Sequence, residues 1–278
     1  MKLSLLQKHI FPVFLLSFIS IASYAAKVDT LLIHSQAMNT QVKTIVINPD
    51  KALNGEKCPV IYLLHGYSGN EKSWLEIKPN LPQLADQYGI IFICPNGKNS
   101  WYYDSPVNKD SNYETFVSSE LINFTDSHFN TIANREHRAI TGLSMGGHGA
   151  MWISIRHKNI FGACGSTSGG LDIRPFPEKW EIKDVLGDYP SHKATWDRHT
   201  VINQLDKIEN KDLAIIIDCG MDDFFLQVNQ SVHMLLRLKK IDHDFIVRPG
   251  KHNHEYWNNS IDYQIVFFDK FFKRQHLN

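Results

Sequence analysis

Residues Thr141–Trp152 read TGLSMGGHGAMW. Gly142 and Gly146 stand two places before and after Ser144, and the short strand-like run His137–Ile140 leads directly into them. Met145–His157 then continues with helical character. A chain that reverses sharply from strand to helix needs glycine wherever another stretch of backbone comes close. The same turn lifts the side chain at its apex, here a hydroxyl. Two readings follow: a tight turn with an idle serine, or a serine presented for attack. The rest of the chain has to choose.

Outward from this turn, apolar runs alternate with segments of helical period. Thr44–Ile47, Val60–Leu64 and Ile90–Cys94 read as strands, the last ended by Pro95-Asn96-Gly97. Tyr113–Ile132 has helical spacing, with Phe116, Leu121, Phe124 and Phe129 on an apolar stripe. Leu213–Cys219 and Phe245–Arg248 are further strands, Phe225–Lys240 is helical between them, and Tyr256–Arg274 closes the chain as a helix. Strands alternating with helices predict an α/β fold: a mostly parallel central sheet with helices on both faces. No repeat or Pro/Gly/Ser-rich linker interrupts the sequence, so residues 26–278 read as one domain. The exception is Ser166–Asn203, which carries Pro175, Pro177, Pro190, Phe176, Trp180 and Trp196 with little periodicity. So long an aromatic excursion from an α/β core reads as a lid-like insertion or pocket wall.

Met1–Ala25 has the form of a secretory signal peptide. Lys2 and Lys8 give a basic start, Ile10–Ile21 an apolar stretch, and Ser23-Tyr24-Ala25 a small-x-small cleavage site. The stretch is short and broken by Pro12, which disfavours a retained membrane helix. The expected mature protein is exported, periplasmic or extracellular, with no stable membrane insertion. It keeps 27 basic against 29 acidic residues, because only Lys2 and Lys8 are lost. That balance offers no field for nucleic acid or anionic lipid. Cys58, Cys94, Cys164 and Cys219 lack the spacing of a zinc site. Export permits a disulfide, but the last three lie in or beside apolar runs, and at least two of the four read as buried, unpaired thiols.

A serine hydroxyl attacks poorly until a histidine takes its proton, and that histidine needs a carboxylate to fix its tautomer. Strand–Gly-x-Ser-x-Gly–helix is the nucleophile elbow of α/β-hydrolases, where partners follow in the order acid, then histidine, each on a loop after a strand. After Leu213–Cys219 comes GMDDFFL with Asp222 and Asp223, and after Phe245–Arg248 comes PGKHNHEYW with His252 and His254. Each pair offers one candidate. Acyl transfer also needs donors for an oxyanion. The backbone N–H of Met145, at the head of the new helix, is one; that of Tyr67 in HGYSGN, after strand Val60–Leu64, is the other.

Taken together, YLLHGYSGNEKSW, GLSMGGHGA, CGMDDFFL and HNHEYW resemble the esterase-D-like branch of the α/β-hydrolases. That branch includes S-formylglutathione hydrolases, tributyrin-type, feruloyl and acetylxylan esterases, and mycolyltransferases. The similarity spans nearly the whole mature chain. It implies Asp223, the second of its pair, as the acid. It implies His252 as the base, four residues before Tyr256-Trp257, with His254 where an aromatic usually stands. NSWYYDSP, Asn99–Pro106, is similar to a family loop that approaches the acyl pocket, which makes Trp101, Tyr102 and Asp104 candidates for substrate contact; the lid's Trp180 and Trp196 are further ones.

The expectation is therefore an exported serine carboxylic ester hydrolase acting without cofactor or metal on small-molecule or polysaccharide esters. Export argues against formylglutathione, a cytosolic substrate. Two alternatives remain: an acyltransferase using the same acyl-enzyme, and a non-catalytic module binding metal through His252, His254 and the Asp222-Asp223 pair.

Overall fold

The computed structural model describes residues 26–274. The proposed signal peptide lies outside the described residues.

Eight strands form a single sheet. They are β1 (Lys27–Ser35), β2 (Thr40–Asn48), β3 (Val60–Leu64), β4 (Ile91–Pro95), β5 (Arg138–Gly142), β6 (Ala163–Thr167), β7 (Ala214–Gly220) and β8 (Asp244–Arg248). Their order is β1-β2-β4-β3-β5-β6-β7-β8. β2 pairs antiparallel with both β1 and β4, and every later pairing is parallel. The fold is that of an α/β-hydrolase.

Strands β3 to β6 are buried along their full length, as a parallel sheet covered on both faces demands. Successive side chains point to opposite faces. Val60, Tyr62 and Leu64 accordingly enter one core, and Ile61 and Leu63 the other. The first core packs under helices α3 (Met145–Arg156) and α5 (Leu226–Leu238) and a helical run ending in α2 (Leu121–His128). The second packs under α1 (Leu81–Tyr88) and α6 (His254–Arg274). Tyr256, Ile261, Ile265 and Phe268 form the buried stripe of α6, at the spacing of an amphipathic helix.

The structure departs from the sequence reading in three places. The helix expected over Tyr113–Ile132 ends at His128, because Phe129 is extended, and it carries a π-type turn at Phe116–Glu120. Edge strand β1 and strand β6 were not expected. β6 also contains Ser166 and Thr167, so the excursion leaves the sheet at Ser168 rather than Ser166. That excursion is partly ordered into two helical stretches, Ile182–Leu186 and α4 (Tyr189–Arg198). All four cysteines are buried and free. Among the described residues, no helix is long and apolar enough to cross a membrane.

Candidate active site

The end of β5 and the start of α3 hold Ser144 at φ 54° and ψ −116°, a left-handed conformation that costs a non-glycine residue on the order of 1–3 kcal/mol. The surroundings over-determine it. Leu143 N–H donates to the Leu64 carbonyl, Ser144 N–H to that of Thr167, and the Ser144 carbonyl accepts from His148 N–H. The glycines make this possible. A Cβ on Gly146 would stand 2.2 Å from the Leu64 carbonyl oxygen, and one on Gly142 would stand 2.5 Å from the backbone of Gly146. No side chain fits there.

Two loops converge on the serine. The Asp223 side chain is buried, and its Oδ1 accepts from Phe225 N–H at 2.8 Å, which orients the carboxylate. His252 Nδ1 lies 2.9 Å from Asp223 Oδ2 and 3.1 Å from Oδ1. His252 Nε2 lies 2.9 Å from Ser144 Oγ. A carboxylate can only accept, so the imidazole proton sits on Nδ1 and Nε2 is left as the acceptor for the serine hydroxyl. Asp222 is exposed. His254 is exposed too, at the head of α6, with its ring against Trp257.

The chain after β3 passes close to this line. A Cβ on Gly66 would meet Leu143 Cδ1 at 2.6 Å and Ser144 Cβ at 3.4 Å, so a side chain there would have to displace Leu143. Tyr67 follows at once. His65 fixes the loop: its Nε2 accepts from Gly97 N–H at 2.8 Å, so its Nδ1 carries the proton donated to the Gly66 carbonyl at 2.7 Å. Burial holds His65 neutral, with its pKa down to about 4. Met145, the first residue of α3, has an N–H with no intrahelical partner.

A cavity of about 330 Å³ opens beside Ser144, with Tyr67, Leu143, Trp180, Phe224, His252 and Trp257 among its walls. Trp180 and Phe224 stack at 5.5 Å, and Phe224 in turn lies 4.2 Å from the His252 ring, centroid to centroid. Of the sequence candidates for substrate contact, only Trp180 lines this cavity. Trp101, Tyr102 and Trp196 are fully buried elsewhere. Trp101 Nε1 donates to the Trp180 carbonyl, Tyr102 Oη to that of His65, and Trp196 Nε1 to that of Gly187. Asp104 accepts from Thr115 N–H and Oγ1 and so anchors the start of a helical run. These four brace the walls rather than face the cavity, because their aromatic bulk or carboxylate is spent on internal partners. Phe224 was not singled out from sequence, although it adjoins Asp223 in GMDDFFL, and Trp257 served there only to set the spacing to His252.

The Esterase family model matches residues 35–268, which is most of the chain. The chain belongs to the esterase family. This esterase is 31% identical to an acetyl esterase of Caldicellulosiruptor saccharolyticus, over 80% of this chain and 90% of that one. It is 26% identical to the S-formylglutathione hydrolase of Bos taurus, over 70% and 75% of the two chains. Among solved structures, a ferulic acid esterase superposes with a TM-score of 0.78 at 26% identity, over 90% of this chain and 99% of that one. The resemblance read from the four motifs is thereby established, and the protein is a serine esterase.

Proposed function

We propose that this esterase cleaves small acyl esters through Ser144, His252 and Asp223, with the backbone N–H groups of Tyr67 and Met145 as the oxyanion site. The observation that carries the reading is the contact of 2.9 Å between Ser144 Oγ and His252 Nε2, at a serine held in a strained conformation at a helix head. As Oγ attacks the ester carbonyl, His252 takes its proton and Asp223 stabilises the imidazolium. The carbonyl oxygen gains charge between the two N–H groups, at the positive end of α3. His252 then protonates the leaving alcohol, and water attacks the acyl-enzyme with His252 as base again.

The cavity is of a size for a short or single-ring acyl group, and its aromatic walls suit an apolar one. With an acetyl esterase and a ferulic acid esterase among the relatives, the reading extends to acylated carbohydrates as the source of such esters. Phe224 is half exposed at the mouth, and exposed His254 stands beside it, so water reaches the acyl-enzyme. That favours hydrolysis over transfer. Metal binding at the histidines is disfavoured because both nitrogens of His252 are engaged. Export rests on the signal-like Met1–Ala25.

A panel of nitrophenyl, feruloyl and acetyl-sugar esters tests the reading. Wild type should cleave at least one class while Ser144→Ala cleaves none. Adding a sugar acceptor should leave free acid as the main product; a majority of transacylated sugar would make the protein a transferase.

A further inference from the structure

The loop that carries His252 leaves the sheet at Arg248 and enters α6 just before Tyr256. Both of these residues reach back to one carboxylate. Tyr256 Oη donates to Asp218 Oδ1 at 2.5 Å, and Arg248 Nη2 donates to Asp218 Oδ2. Asp218 is fully buried on β7, five residues before Asp223. Arg248 has its guanidinium over the Tyr263 ring at 4.0 Å, and its Nε and Nη1 are buried without hydrogen-bond partners, so Asp218 is its anionic contact.

The clamp bears directly on the loop. Gly250 adopts φ +148°, and a Cβ there would fall 2.3 Å from Tyr256 Cδ2, so the Tyr256 ring is seated on the Gly250 backbone. The Gly250 carbonyl accepts from Asp222 N–H at 2.9 Å, and the Arg248 carbonyl accepts from Met221 N–H at 2.8 Å. A Cβ on Gly220 would stand 2.5 Å from the Gly250 carbonyl oxygen. The acid loop and the histidine loop thus lie edge to edge, with no slack between them. Burial pushes the Asp218 carboxyl up, against the pull of Tyr256 and Arg248. A buried carboxylate held by Tyr256 and Arg248, tying both ends of one loop, goes beyond what β7 needs in order to pair with β8.

We infer that Asp218 is a positioning residue for His252: through Tyr256 and Arg248 it fixes the His252 loop against the Asp223 loop and so sets the Ser144–His252 contact. The inference rests on the triad reading above. Asp218 touches no substrate. Its effect is geometric, and small displacements of a general base are costly to the chemical step while leaving the substrate cavity intact. Neither Asp218, Arg248 nor Tyr256 lines that cavity.

The deciding variant is Tyr256→Phe, which removes one hydroxyl and leaves the ring on Gly250. It should lower kcat by roughly 10-fold and Asp218→Asn by roughly 100-fold, each with KM within about 2-fold of wild type. In a His252→Gln background, Tyr256→Phe should change the residual rate by less than about 2-fold, since coupled residues are not additive. Wild-type kcat in folded Tyr256→Phe or Asp218→Asn overturns the inference, as does an undiminished Tyr256→Phe effect without His252. Should Asp218→Asn fail to fold, the two Tyr256→Phe measurements decide alone. Normal turnover by His252→Gln would instead sink the triad reading itself.

Discussion

Asp223 and His252, 29 residues apart in sequence, meet with the Asp223 carboxylate astride His252 Nδ1 at 2.9 and 3.1 Å. Its neighbour Asp222 is exposed and takes part through its backbone, donating N–H to the Gly250 carbonyl. Adjacent side chains on one turn have diverged into two tasks. Asp223→Asn should lower kcat by roughly 10,000-fold by losing control of the histidine tautomer. Asp222→Asn keeps its backbone bond and should stay within about 3-fold of wild type. Steady-state rates on one nitrophenyl ester check both, and the reverse ranking would reassign the acid.

Trp180 and Trp196 lie in the same excursion but should fail differently. Trp180 faces the cavity, stacked on Phe224. Trp180→Ala should shift the ratio of kcat/KM between acetyl and feruloyl esters by roughly 10-fold. Trp196 is wholly buried, so Trp196→Ala should cost about 3–5 kcal/mol of stability and leave that ratio unchanged in the folded fraction. Denaturant melts and paired ester assays separate the two. Identical ratios in wild type and Trp180→Ala would mean that Trp180 only packs.

Acid should destabilise the protein through two buried rings. Burial takes both His65 and His148 from 6.5 down to about 4. The unfolded chain therefore binds more protons than the native one between these values. The stabilisation is full above pH about 6.5, is lost as pH falls towards 4, and is on the order of 3 kcal/mol for each ring. His148→Phe keeps the aromatic shape but cannot titrate. Its unfolding midpoint should fall less steeply between pH 7 and 4.5 than that of wild type; an equal slope would show that His148 does not contribute.

Processing after Ala25 should strengthen a contact already present. Ala26 N–H donates to Asp86 Oδ2 at 2.7 Å, and Asp86 Oδ1 accepts from Asp50 N–H. Cleavage would turn that amide into an ammonium and add an ion-pair attraction of about 1 kcal/mol or less to a hydrogen bond whose acceptor is already charged. Asp86→Asn should therefore destabilise protein beginning at Ala26 more than the uncleaved chain, by thermal melts of the two forms. Equal losses would argue against a charged terminus at Ala26.

Much of this arrangement was legible in the residues. The strand, the glycine-flanked serine and the helix of Thr141–Trp152 could be read from the residues, because Gly142 and Gly146 both meet backbone that forbids a side chain. The loops bearing Asp223 and His252 were placed by their strands. Strand β6 was hidden because its sequence, ACGST, is small and polar where a strand signal needs β-branched or aromatic bulk. Strand β1 was hidden because edge position leaves it half exposed, with Lys27 and Asp29 breaking the apolar pattern. Trp101, Tyr102 and Trp196 show the limit of composition. An aromatic beside a motif serves a pocket or a core equally well, and only tertiary packing decides between them.

Covalent labelling of Ser144 tests the whole account most directly. A fluorophosphonate should add one phosphonyl group to the wild type, found on the peptide containing Ser144 by mass spectrometry. His254→Gln should label at about the wild-type rate. His252→Gln should label slower by on the order of 10,000-fold or more, because the members of such a unit fail together, and Ser144→Ala should not label at all. Undiminished labelling of Ser144→Ala, or a His254→Gln protein that is dead while His252→Gln reacts normally, would contradict it.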